Sequence, residues 1–202
     1  MFRNLLLLIG TSLWLAACHS SSKEDWSILP ADLQLQAGDV VFRQGSGLDS
    51  RTVMTVDSNS CYSHIGIVVD SAGCPMIVHA VPGEPDFPGD FDRIKMDQPA
   101  TFFLHSRALI GEVMRPKQQD KAQKAALAAL ELYHRHIPFD HDYNDEDSTE
   151  MYCTELIDFV FRAAGVQLTD APKSHFDFPF YFHGYLPSQL HASTELRSWR
   201  KF

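Results

Sequence analysis

The sequence predicts an α+β domain, with a small antiparallel β-sheet or barrel packed on helices. Three observations predict it. Short β-branched and aromatic runs separated by turn residues fill the first half, an alanine- and leucine-rich stretch spans 117–134, and a second apolar-periodic stretch runs from near Cys153 to Gly165. Strands therefore come first and helices later, without the strict alternation that a parallel sheet requires.

Taken in order, the chain opens on a targeting pattern. Met1–Asn4 carries one positive charge, Leu5–Ala16 is apolar but too short to span a bilayer comfortably, and small residues precede Cys18. This resembles a bacterial lipoprotein signal, and the resemblance implies a signal peptide over 1–17, lipidation of Cys18, a polar tether over 18–26 and one domain over 27–202. The alternative is an ordinary secretory peptide that happens to contain a cysteine. His19 in place of an aspartate after the lipidated residue implies, by the sorting preference of such lipoproteins, an outer-membrane anchor facing the periplasm.

Gly38–Arg43 reads as a first strand, Gln44–Gly47 as a tight loop and Ser50–Asp57 as a short helix. Ile65–Val69 and Pro75–Val81 form a hairpin turning at Ser71–Gly73, and a proline- and glycine-rich loop, Pro82–Gly89, follows. Ala100–His105 and Leu109–Met114 are apolar enough for two more strands. Lys117–His134 is a helix ended by Pro138. A further helix begins behind Asp145–Thr149, where Asp147 and Glu150 have capping-box spacing, and buries Leu156, Ile157, Val160, Phe161 and Ala164 before Gly165. An aromatic tail, His175–Tyr185, leads to a last short helix after Pro187.

The formal net charge is −9, and the basic residues are scattered except for Arg197–Lys201. A nucleic-acid partner is thereby disfavoured, and the basic tail reads as solvated or as touching anionic lipid. Export to an oxidising compartment raises the question of disulfides. Cys61 and Cys74 lie at opposite ends of the predicted hairpin, too far apart to bond at about 3.3 Å per residue.

The chemistry concentrates at Cys153. A thiol at a helix start sits where the backbone dipole favours a thiolate, and His64, just ahead of a strand far upstream, can receive its proton only through the fold. A cysteine beside an apolar stripe is otherwise inert core. With the hairpin centred between Ser71 and Ala72, His64 pairs with His79, so that one imidazole can orient the other; two histidines on a solvated face are the alternative, and a one-residue slip separates them.

The segments Gly38–Arg43, Ser63–Val68, Val78–Pro82, Pro138–Asp140 and Tyr152–Leu156, in that order, resemble the permuted papain-like amidases, the YiiX/YebB-like and YaeF-like branch of the NlpC-type cysteine hydrolases. The resemblance covers most of the chain after the tether. It implies a circularly permuted papain-like fold, Cys153 as nucleophile, His64 as general base and His79 as the residue that orients it. Many relatives carry glutamate at this third position; a neutral imidazole supplies no negative charge to steady an imidazolium.

The implied reaction is acyl transfer to water through a thioester, requiring neither metal nor organic cofactor. Its substrate is an amide in a peptidoglycan stem peptide, or an amide or ester in a lipid, with Tyr152, Phe178, Phe180 and Tyr181 as candidate walls of a groove. A lipid acyltransferase and an inactive envelope binding module are the competing readings. His134, His136, Asp140, His141 and Asp142 crowd one segment, but no His-Glu-x-x-His or calcium-loop spacing accompanies them. Asp140 reads as a residue that orders this loop, and Asp39 as a turn residue.

Overall fold

Among the described residues of the computed structural model thirteen elements follow one another: β1 Val40–Gly45, α1 Leu48–Val56, β2 His64–Ser71, β3 Cys74–Val81, β4 Arg93–Asp97, α2 Pro99–Phe102, β5 Ala108–Pro116, α3 Gln119–His134, α4 Cys153–Ala163, β6 Ser174–Phe176, β7 Phe182–Gly184, α5 Pro187–His191 and β8 Leu196–Lys201. The structure describes residues 25–178 and 180–202; the signal segment 1–17, Cys18 and most of the tether lie outside them. Six strands form one sheet in the order β4-β3-β2-β1-β5-β8, every neighbouring pair antiparallel, and β6 and β7 form a separate ribbon. Among the described residues no helix is long and apolar enough to cross a membrane.

Alternation along the strands gives the sheet two buried faces. Ile65, Ile67 and Val69 of β2 join the larger core with α3 and α4, whereas Val68 joins Val41, Ile77, Phe102 and Phe103 on the opposite face. On α4 the stripe Leu156, Ile157, Val160 and Phe161 is fully buried, each side chain contributing roughly 1.5–3 kcal/mol. Gly165 ends the helix at φ +78°, and Val166 N–H donates to the Phe161 carbonyl at 2.8 Å, a Schellman closure that a left-handed glycine permits.

The hairpin register differs from expectation by two positions. Ser71 pairs with Cys74 and Ile67 with Val78, so the turn centres between Ala72 and Gly73, both at positive φ as a two-residue type I′ turn requires. His79 therefore lies opposite Gly66, and His64 is its diagonal neighbour rather than its direct partner. A two-position change preserves the parity of faces, so the two histidines stay on the same side of the sheet.

Other expectations change more. Ala100–His105 is not a strand; Pro99 opens the short α2 there, leaving Phe102 and Phe103 under the sheet. Two strands of the six-stranded sheet were not anticipated, nor was the β6–β7 ribbon in the aromatic tail. One is β4, whose Arg93, Lys95 and Asp97 alternate with the core residues Ile94 and Met96; the other is β8, which takes the basic C-terminal segment onto the edge beside β5. Asp147 does not start α4: its carboxylate instead accepts the Thr149 N–H at 2.9 Å in a local turn, and the helix begins at Cys153.

Candidate active site

Cys153 is the first residue of α4, and the chain on either side of it is held. Met151 N–H donates to the Pro138 carbonyl at 3.0 Å and Asp140 N–H to the Met151 carbonyl at 3.2 Å, pairing the approach with the Pro138–Asp140 segment. Tyr152 is the N-cap in extended conformation, its N–H donating to the Glu155 carboxylate at 3.3 Å. Thr154 Oγ1 donates to the Tyr185 carbonyl at 2.6 Å, fastening the first turn to the segment before α5. Burial pushes the Cys153 thiol up to about 11, against the opposing pull of backbone N–H groups of Ile65, Thr154 and Cys153 and of the Arg43 charge. The resting thiol is protonated, so desolvation outweighs the helix start that favours a thiolate.

His64 opens β2 and is buried. Its Nε2 lies 2.9 Å from His79 Nδ1, and His79 Nε2 lies 3.2 Å from Asp97 Oδ2. Phe102 packs beneath both rings, its centroid 5.7 Å from His64 and 4.9 Å from His79. Gly66 makes the diagonal contact feasible, since a Cβ there would sit 2.8 Å from Ile77 Cγ2 and 3.3 Å from His79 Cβ. Burial and then the charges of Arg43 and His79 hold the His64 imidazole well below its ordinary value; burial also lowers His79, although Asp97 pulls it upward.

Asp97 fixes the protons in this chain of groups. Burial alone would raise its pKa, but the hydrogen bond and charge of His79 and the charges of Lys95 and Arg107 prevail and keep it ionised. A carboxylate only accepts, so His79 Nε2 carries the proton; His79 Nδ1 then accepts from His64 Nε2–H, leaving the lone pair of His64 on Nδ1. This supplies the negative charge that the sequence reading found missing behind His79. Asp97 escaped notice because no motif marks it: it sits at the end of a strand with three charged residues in five.

Cys153 and His64 line a common cavity of about 400 Å³ without a hydrogen bond between thiol and ring. Its walls come from the start of α1, from Pro82–Pro85, from Ser106 and Arg107, and from Phe139 and Tyr143. Glu84 ties one wall to the sheet by pairing with Arg43 and Arg107, and Arg107 also reaches Asp97 at 3.1 Å. Asp140 orders the wall containing Tyr143, accepting backbone N–H groups of Asp142, Tyr143 and Asn144 at 2.8, 3.0 and 2.7 Å.

The residues expected to wall a groove are placed elsewhere. Tyr152 is buried with its hydroxyl donating to the His183 carbonyl at 3.3 Å, Phe180 packs on Phe176 and Phe182, and Phe178 and Tyr181 are exposed. None is among the described residues around the cavity. The aromatic tail folds on itself as a ribbon instead, which packs Phe176, Phe180 and Phe182 against one another. Cys61 and Cys74 are free and exposed. Asp39 pairs with Arg115 at 2.8 Å through both carboxylate oxygens and accepts the Gln36 N–H, a structural role. Among the described residues no three His, Cys, Asp or Glu side chains are arranged to hold a metal ion, the segment from His134 to Asp142 included.

Comparison with protein-family models and with curated proteins finds no match. Among solved structures, the chain is similar to the Escherichia coli O157:H7 metalloprotein YiiX, DUF1105, with a TM-score of 0.67 at 17% identity, over 84% of this chain and 99% of that one. At that identity the likeness concerns the fold: this chain has a mixed α+β, YiiX-like fold.

Proposed function

We propose that the protein is a cysteine hydrolase with a permuted papain-like arrangement, cleaving an amide or ester bond through a thioester on Cys153. The observation that carries this reading is the run from His64 through His79 to Asp97, which leaves a lone pair on His64 Nδ1 in the same cavity as a thiol at the start of a helix. A merely structural histidine pair needs no buried carboxylate behind it and no cavity in front.

The thiol is raised and the imidazole lowered, so the resting pair is neutral and no ion pair awaits the substrate. His64 acts as a general base: as the Cys153 sulfur attacks the carbonyl carbon, the thiol proton passes to His64 Nδ1. The imidazolium formed is steadied through His79 by the Asp97 charge. The Cys153 N–H, unsatisfied within the helix, is positioned to donate to the developing oxyanion. His64 then gives its proton to the leaving amine or alcohol, and the thioester forms as that bond breaks. Water, deprotonated by His64, attacks the thioester and releases the acid and the thiol. No step calls on a metal or an organic cofactor.

The envelope setting implied by the Cys18 signal makes peptidoglycan stem peptides and membrane lipids the substrate classes at hand, with a lipid anchor holding the protein at the outer membrane. Acyl transfer to an alcohol or amine uses the same thioester. Hydrolysis of a panel of peptide amides and acyl esters by the wild type and by Cys153→Ala, with and without an added acceptor, tests the reading. Turnover that vanishes in the variant supports the hydrolase, and transfer products identify an acyltransferase. Binding with equal affinity by both proteins and no turnover by either sinks the enzyme reading in favour of a binding module.

A further inference from the structure

The described chain begins against the active-site cavity. Asp25 accepts the Ser106 N–H at 3.0 Å and also its hydroxyl, Trp26 stacks on His105 with centroids 4.8 Å apart, and Ser106 lines the cavity. Ser46, which lines it too, donates its hydroxyl to the Ser106 carbonyl, so the first described residues, residues 105–107 and the approach to α1 form one continuous rim. Seven positions separate Cys18 from Asp25, a reach of at most about 25 Å when extended. A lipid on Cys18 would therefore keep this rim within about 25 Å of the bilayer.

The same rim is apolar where it has no need to be. Trp26 is 58%, Leu48 77% and Phe87 57% exposed. Leu48 lies between the cavity residues Gly47 and Asp49, and Phe87 follows the cavity residues Pro82–Pro85. Exposed large side chains flanking two cavity-wall segments, beside the point where the tether enters, are the arrangement of an interfacial surface.

We propose that the mouth of the Cys153 cavity docks on a lipid bilayer, with Leu48 and Phe87 entering the boundary between headgroups and acyl chains. The reacting carbonyl is then drawn from the bilayer, which selects an amphiphile whose amide or ester lies at headgroup depth over a soluble peptide. This deepens the hydrolase reading and rests on it for the chemistry, while the docking itself is independent of turnover.

The test uses the full chain, processed and reconstituted in phosphatidylethanolamine/phosphatidylcholine vesicles carrying lipids brominated near the headgroup. In a background with Trp26 and Trp199 replaced by Phe, the signal peptide with Trp14 being absent from the processed protein, single tryptophans are placed as Leu48→Trp and Phe87→Trp. Both should be quenched at least twofold more than a tryptophan kept only at 199, on the far sheet edge, and adding Leu48→Asp to the Phe87→Trp protein should at least halve the quenching at 87. Quenching confined to a lone Trp26, which would report the tether alone, overturns the docking, as does sedimentation with peptidoglycan sacculi without quenching at 48 and 87. Quenching at both positions, with no hydrolysis of any amide or ester lipid, would instead leave the docking standing and remove the reaction.

Discussion

Replacing Asp97 by Asn removes one negative charge and almost no volume. The carboxylate lies 3.2 Å from His79 Nε2, and His79 Nδ1 lies 2.9 Å from His64 Nε2. Adding the width of one imidazole places the charge about 8 Å from the His64 imidazolium formed in the transition state, an interaction of about 2 kcal/mol at an effective dielectric of about 20. The expected loss in kcat is about 30-fold with little change in KM, since the charge acts on a state formed only during reaction. Removing an anion also lowers the proton affinity of His79 and His64, so the acid limb of kcat/KM should move to lower pH. Steady-state kinetics across pH, with thermal unfolding as a control, measures both effects. An unchanged kcat, or an acid limb that moves upward, would refute the role given to Asp97.

Three further outcomes follow from the same geometry. Alkylation of Cys153 by iodoacetamide should keep rising with pH beyond 9, because burial holds the thiol near 11; peptide mass across a pH series checks this, and a plateau below pH 8 would contradict the neutral resting pair. Asp140→Ala should destabilise the protein by about 3 kcal/mol in denaturant unfolding and raise KM, because it strands three backbone N–H groups in the wall that carries Tyr143. Glu155 is pushed up to about 8 by burial against its ordinary 4.5, chiefly offset by the Tyr152 N–H. The unfolded chain releases this proton first, so stability should fall as pH rises from about 4.5 to about 8, and Glu155→Gln should flatten that slope in thermal melts.

The sequence made the proposed Cys153–His64 pair legible because each member is tied to a local pattern. Cys153 precedes a clear apolar stripe, and His64 and His79 sit on a hairpin whose parity survives an error of two in its register. Asp97 was illegible because β4 gains its strand character from pairing with β3 rather than from its own residues, three of five being charged. β8 was hidden similarly, since an edge strand with one buried residue resembles a solvated tail. The run Ala100–His105 reads as a strand on apolar content, and Pro99 at the first helical turn makes its first half the short α2 instead. Phe178 and Tyr181 suggested a groove by composition alone, whereas the cavity is walled by the start of α1, by Pro82–Pro85, by Ser106 and Arg107, and by Phe139 and Tyr143, brought together from distant parts of the chain. Desolvation was equally invisible: helix-start placement argued for a thiolate, and only the packed structure reveals how deeply the thiol is covered.

The central claim is a thioester on Cys153, and intact-protein mass spectrometry after brief exposure to a p-nitrophenyl acyl ester tests it most directly. The account predicts an acyl adduct mapped to Cys153, cleaved by neutral hydroxylamine, cleared by wild-type protein and formed at least tenfold more slowly when His64 is replaced by alanine. An adduct found only on the exposed Cys61 or Cys74, or formed on Cys153 at the same rate without His64, would contradict it.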